Sequence, residues 1–164
     1  MIYPSSGLAS LLNLRWLADD LLTSGQPDAD ELCAVAAAGC EVVINLGLPD
    51  AEYALVGEQA LSESLGLVYI GIPVPWQAPT HAHLLRFIEV MRETEGRRRF
   101  VHCAANKRAS VFVALYRILA LGWPEPRALA DLAQSWDPDE CWSRFVVAEL
   151  AVRHAKGDMA LPRS

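Results

Sequence analysis

No stretch of this chain repeats another, no low-complexity tract interrupts it, and no Gly-, Ser- or Pro-rich linker divides it. Its 164 residues therefore read as one domain, 1–164, long enough for a full hydrophobic core. Positive charge is in deficit: the net charge of -6 excludes broad nucleic-acid binding, although one local basic site can sit in an acidic chain. Cysteine is sparse. Cys33, Cys40, Cys103 and Cys141 are scattered with no CxxC pair, which excludes a disulfide framework and a zinc site and fits a reducing cytoplasm. The opening MIYPSSGLAS has no basic segment ahead of an apolar one, so no secretory signal is expected. The longest apolar run, Val111 to Leu121, is broken by Arg117 and is too short to cross a bilayer, so no membrane partner is expected. Residues 1–12 and 157–164 are expected to be loose ends. Disorder elsewhere is excluded by a hydrophobic content of 52%.

What is present alternates. WLADDLLTSGQP predicts a short strand pair closed by Ser24-Gly25-Gln26-Pro27. DADELCAVAAAG predicts a helix capped by Asp28 and stopped by Gly39. CEVVINLGLPD predicts a buried strand, AEYALVGEQALSESLG a helix ending at Gly66, and LVYIGIPV another strand. APTHAHLLRFIEVMRETEG predicts a helix starting near Pro79 with Ala78 or Thr80 at its cap, and RRFVHC a third buried strand. Three helices follow. This order predicts an α/β fold with a mainly parallel central sheet of four to five strands flanked by helices. In such sheets ligands bind beyond the carboxyl ends of the strands, where His102 and Cys103 fall.

Cys103 opens a small-residue loop that runs into an almost wholly apolar helix. A free thiol titrates near 8.5, so little is thiolate at neutral pH. A helix N-terminus stabilises the anion through unpaired N–H donors and the dipole, and the same donors hold a phosphate or sulfate. Ala104 and Ala105 are small enough to let backbone N–H groups converge, and Asn106 tolerates the positive φ that a tight cradle requires. Lys107 and Ala109 complete the candidate phosphate loop, with Lys107 a solvated electrostatic aid. Arg108 can supply a forked, permanent charge, and Ser110 a hydrogen bond to the thiolate. Nucleophile, cradle and cation together describe phosphoryl or sulfur transfer through a thiol. The remaining cysteines read as small core residues, His102 as a structural hydrogen-bonder, and Arg97, Arg98 and Arg99 as a surface turn. Trp76 and Pro75 can wall a pocket, and Asn45 can tie a neighbouring loop by hydrogen bonds.

VHCAANKRAS resembles the active-site loop of the cysteine-dependent protein tyrosine and dual-specificity phosphatases: His-Cys, five residues, Arg, then Ser or Thr. More closely it resembles a bacterial phosphatase-like group with an HCAANxRxS loop. The likeness extends to SGQPDADELCAVAAAGCEVVINLGLPD and YIGIPVPWQAPT, and so covers roughly Leu14 to Leu121. It implies a dual-specificity-phosphatase-like fold, Cys103 as nucleophile, a cysteinyl-phosphate intermediate, and a phosphorylated substrate or inorganic phosphate as partner. It also implies no metal and no organic cofactor. Two departures stand out. The arginine position of the signature holds Ala109, and the arginine comes one earlier, as Arg108; either the loop is one residue short or the arginine has moved by one. Four residues between cysteine and arginine also occur in rhodanese-like sulfurtransferases, which stays open as an alternative activity. Second, PVPWQAPTHAH, where such phosphatases carry an aspartate general acid, holds no carboxylate. His81, His83, Asp50, Asp137 and Asp139 stay open for that role, and a phosphate- or partner-binding module without turnover is the third alternative.

Overall fold

A computed structural model of the chain describes the backbone of residues 7–159 and the side chains of residues 7–156. Eleven elements follow in order: β1 Arg15–Ala18, β2 Leu21–Ser24, α1 Ala29–Ala37, β3 Val42–Asn45, α2 Glu58–Ser64, β4 Val68–Gly71, α3 His81–Glu93, β5 Arg99–His102, α4 Lys107–Leu119, α5 Glu125–Ala133 and α6 Glu140–Met159. The strands form one sheet in the order β1-β2-β5-β3-β4. Only β1 runs antiparallel; β2, β5, β3 and β4 are mutually parallel. The expected mainly parallel α/β sheet is thus the observed one, with five strands.

Strand alternation builds two cores. Leu21, Val42, Ile44 and Val101 face one side, under residues of α3, α4, α5 and α6. Leu22, Val43 and Phe100 face the other, with Leu32 and Val35 of α1. The period of two along each strand places neighbouring side chains on opposite faces, so a run such as Phe100-Val101 feeds both cores. Helix α4 lies in the middle of the first core and is buried from Arg108 to Ile118, as a helix apolar on nearly every side must be. Phe112 of this helix packs with the rings of Phe87, Trp142 and Phe145 in edge, tilted and stacked pairs at 5.6–6.1 Å. No helix among the described residues is long and apolar enough to cross a membrane.

Local chemistry sets the ends. Asp28 caps α1, its Oδ1 accepting from Glu31 N at 2.8 Å, and Gly39 leaves the helix at φ +90°. Thr80 caps α3 in a reciprocal box with His83, whose Nδ1 accepts from Thr80 N at 3.1 Å. Two expectations are corrected. Helix α2 starts at Glu58, not near 51: Gly57 precedes it at φ +76°, and the chain before it is turned, with Ala54 N donating to Ala51 O at 3.0 Å. Residues 7–12 are not a loose end, because Leu8 and Leu11 are buried in the second core at 3% and 4% exposure. At the other end α6 continues to Met159, and the rest of the expected tail lies outside the described residues.

Candidate active site

The four parallel strands end level with one another. Ser24 and Asn45 both stand opposite His102, and Gly71 stands opposite Asn45. Cys103 therefore leaves the sheet at its centre, flanked by β2 and β3. The loop then runs against the end of β2. Ala104 O accepts from Gln26 N at 3.0 Å, and Ala105 O from Asn13 Nδ2 at 3.0 Å. This approach needs glycine at position 25, since a Cβ there would stand 2.6 Å from Ala104 O. In a trans peptide C=O and the next N–H point oppositely, so the Ala105 N–H faces away from Gln26. Asn106 caps α4 at φ +64°, the left-handed conformation expected of the cradle. Its Nδ2 donates to Asn13 O at 2.8 Å and to Thr23 Oγ1 at 3.0 Å, which locks the turn. The first helical bond is Ser110 N to Asn106 O, at 3.2 Å. The N–H groups of Lys107, Arg108 and Ala109 precede it and form the donor end of the helix.

Arg108 turns inward from the first turn of α4 and is 3% exposed. An arginine one place earlier than the phosphatase signature thus still reaches the interior. Its Nη1 donates to Val74 O at 2.7 Å and its Nη2 to the Tyr53 hydroxyl at 3.1 Å. The guanidinium carbon lies 5.7 Å from the Tyr53 ring and 5.8 Å from the Trp76 ring, a cation between two aromatic faces. Its Nε is buried with no protein acceptor. Trp76 is itself seated between Trp136 and Trp142, each at 5.6 Å. Asn45 ties the neighbouring loop as the sequence suggested, accepting from Gly47 N at 2.8 Å and donating to the Tyr69 hydroxyl at 3.0 Å. Burial pushes the Tyr69 phenol above its ordinary range; the Asn45 hydrogen bond opposes that shift and the Glu58 charge adds to it.

Sequence reasoning missed Glu58. Its Oε2 lies 2.8 Å from His102 Nε2, with the two side chains 5% and 0% exposed, and its Oε1 accepts from Gln26 Nε2 at 2.6 Å. His102 Nδ1 faces Cys103 O at 3.4 Å, and the ring stacks on Phe100 at 5.2 Å. The residue before the nucleophile candidate is therefore fixed on three sides. No local signal marks Glu58 or Tyr53, because each meets the loop across a long sequence separation.

The other candidates have different partners. Ser110 Oγ donates to Lys107 O at 2.8 Å and accepts from Trp136 Nε1 at 3.1 Å, so the expected hydrogen bond to Cys103 is not among its contacts. A hydroxyl within the first turn finds the nearby carbonyl more readily than a sulfur below the loop. Lys107 is exposed, over the Trp136 ring at 5.3 Å. His81 pairs with Glu149 at 2.7 Å, His83 serves the α3 cap, and Asp139 Oδ1 accepts from Trp142 N at 3.0 Å. Asp50 and Asp137 are exposed. Arg97 and Arg98 precede β5, Arg97 pairing with Glu41 and Arg98 donating to Asp19 O and Ala38 O; Arg99, expected in a surface turn, instead opens β5, buried and donating to Met91 O. A cavity of about 410 Å³ opens beside the site, walled by Asn45, Gly47, Glu58, Tyr69 and Gly71 among others, but none of residues 103–109 lines it. Among the described residues no group of three or more His, Cys, Asp or Glu is arranged to hold a metal.

No family model matches the chain. A beta-lactamase hydrolase-like protein of Xylella fastidiosa (strain Temecula1) is 35% identical over 103 residues, which is 60% of this chain and 23% of that protein, so the chain spans less than a quarter of its curated relative. Among solved structures, a phosphatase-like DUF442 protein of Shewanella putrefaciens CN-32 superposes with a TM-score of 0.78 at 29% identity, covering 88% of this chain and 95% of that one. Tk-PTP, in its active form, gives a TM-score of 0.73 at 21% identity over 86% and 97% of the two chains. The same fold carries phosphotyrosine in a cysteine-to-serine variant of Pseudomonas aeruginosa TpbA, with a TM-score of 0.61 at 20% identity over 74% and 72%. The fold is the one these phosphatase structures share. At the level of sequence and fold together, the chain resembles the DUF442 protein of Shewanella putrefaciens over most of its length.

Proposed function

We propose that residues 1–164 form one phosphatase-like domain that hydrolyses phosphomonoesters through Cys103. What supports this reading is the position of Cys103 at the centre of the carboxyl edge of the sheet, where its loop opens helix α4, with Arg108 buried in the first turn of that helix. The Cys103 thiolate attacks phosphorus, an S–P bond forms and the P–O bond to the leaving group breaks. The N–H groups of residues 104–109 and Arg108 hold the equatorial oxygens as charge redistributes. The departing oxygen takes a proton, and water then cleaves the S–P bond to release inorganic phosphate and the thiol. No aspartate stands on the loop after β4 to give that proton, and His81 and His83 each have Nδ1 taken, by Glu149 and by Thr80 N. Missing general-acid catalysis costs roughly 10²–10⁴-fold in rate, so esters with good leaving groups are the preferred substrates. The four cysteines are free, which suits a reducing compartment such as the cytoplasm, where the nucleophile stays a thiol.

The test is hydrolysis of an activated aryl phosphate, with vanadate as inhibitor and Cys103→Ser as control. Cys103-dependent phosphate release is the expected result, and release equal to the Cys103→Ser background contradicts it. A second reading, an anion-binding module without turnover, is favoured by the engagement of Ser110 with Lys107 and Trp136. Calorimetric phosphate binding without any Cys103-dependent release selects it. Sulfur transfer is supported only by the four-residue interval between Cys103 and Arg108.

A further inference from the structure

Tyr53 lies on the connection between β3 and α2, remote in sequence from the loop, and nothing in its neighbourhood marks it as functional. Its position does. The hydroxyl accepts from Leu48 N at 2.8 Å and from Arg108 Nη2 at 3.1 Å. A phenol that accepts twice still has one proton to give, and no acceptor for it exists among the described residues. The residue is 37% exposed, so this proton is not sealed in the core. The ring is also held. Gly47 packs against it so closely that a Cβ there would stand 3.1 Å from Tyr53 Cε2, and the Arg108 guanidinium lies 5.7 Å from its centre.

Arg108 carries a matching donor. Its Nε is buried without an acceptor, beside the Nη2 that reaches Tyr53. A buried orphan donor on a guanidinium costs free energy unless something accepts from it. Two donors without a protein acceptor thus stand at one constellation, the buried Arg108 Nε–H and the Tyr53 O–H, and a tetrahedral oxyanion offers several acceptor oxygens at once. Two other side-chain donors of the region have partners of their own: Asn45 donates to Tyr69 and Ser110 to Lys107.

We propose that Tyr53 is a further catalytic residue of this site, donating its hydroxyl proton in a hydrogen bond to an oxygen of the phosphoryl group that Arg108 holds. This rests on the reading of Arg108 as the phosphoryl-binding cation. Tyr53 then has two tasks: its oxygen fixes the guanidinium, and its proton stabilises the transferred group. The first task tolerates a phenolate and the second does not.

That difference supplies the test. Tyr53→Phe keeps the ring over Arg108 and removes only the hydroxyl. It should lower kcat/KM for an aryl phosphate, and weaken vanadate inhibition, by about 10- to 100-fold, the range for one hydrogen bond to a charged group, while thermal unfolding confirms an intact fold. Incorporating a ring-fluorinated tyrosine at position 53, which lowers the phenol pKa, should restore activity near neutrality and move the alkaline limb of the pH profile to lower pH. Turnover and vanadate inhibition within twofold of the parent for Tyr53→Phe overturn the proposal, as does an alkaline limb that fluorination leaves in place. A parent protein with no Cys103-dependent turnover defeats the hydrolase reading instead. Tyr53 is then judged on calorimetric vanadate binding alone, where equal affinity of parent and Tyr53→Phe overturns it.

Discussion

Removing the Glu58 carboxylate should cost far more than an ordinary helix-surface glutamate. In Glu58→Ala, His102 Nε2 loses its 2.8 Å partner inside a site where the ring is 0% exposed, and Gln26 Nε2 loses its 2.6 Å acceptor. An orphaned buried polar group costs about 1–3 kcal/mol. Gln26 keeps Pro27 O at 3.1 Å as a second acceptor, so its share is at the low end. The sum is about 2–4 kcal/mol, a large part of the roughly 5–15 kcal/mol that stabilises a typical domain. At this chain length that corresponds to a fall in Tm of about 4–16 °C. Glu58→Gln preserves one acceptor oxygen and the volume, and should cost about half as much. Urea unfolding of Glu58→Ala, His102→Phe and the double variant closes the cycle. Because the two groups satisfy each other, the double variant should be clearly less destabilised than the sum of the singles. Additivity within about 0.5 kcal/mol, or a Glu58→Ala stability within that margin of the parent, would refute the reasoning.

Arg108→Lys keeps a positive charge but loses the fork, so phosphate and vanadate binding should weaken by about 1.5–3 kcal/mol, measurable by inhibition constants; unchanged inhibition contradicts a forked contact. Asn106→Gly keeps the φ of +64° but loses bonds to Asn13 O and Thr23 Oγ1, and Asn106→Ala adds left-handed strain. Alanine should therefore be less stable than glycine by about 1 kcal/mol in thermal unfolding. Burial pushes the Cys40 thiol up to about 12 from its ordinary 9.0, against the smaller opposing pull of Arg98. Its stabilising contribution is full below 9.0 and is lost as pH rises toward about 12. Cys33, read from the sequence as a core residue, is exposed because it lies on the outer face of α1, and Cys141 is half-buried; at pH 8, iodoacetamide should label Cys33 and spare Cys40 until denaturant is added, as peptide mass spectrometry will show.

The legible parts of the sequence were those written locally. Alternating apolar strands and capped helices announced the parallel sheet, and Cys103 after the run RFVH placed the loop at a carboxyl end. Small residues and Asn106 announced the tight turn, which the φ of +64° bears out. The illegible parts were contacts made across the fold. Glu58 sits on a short helix whose polar run reads as a solvated face, yet it turns 5% exposed toward His102, 44 positions away. Tyr53 reaches Arg108 across 55 positions. Residues 7–12 were misjudged because a short leucine-rich stretch without periodicity looks like a tail; Leu8, Leu11 and Leu12 were the signal, and two of the three are buried at 3% and 4%. Ser110 was misassigned because spacing fixes the position of a hydroxyl but not the acceptor it chooses.

The most direct test of the central claim is a rapid-quench reaction of the full chain with a good aryl phosphate, followed by peptide mass spectrometry. Hydrolysis through the thiol predicts a burst of the phenol, with phosphate attached to the peptide that contains Cys103 and absent from it in Cys103→Ser. Phenol release with no phosphocysteine and no burst, or release unchanged in Cys103→Ser, would contradict it.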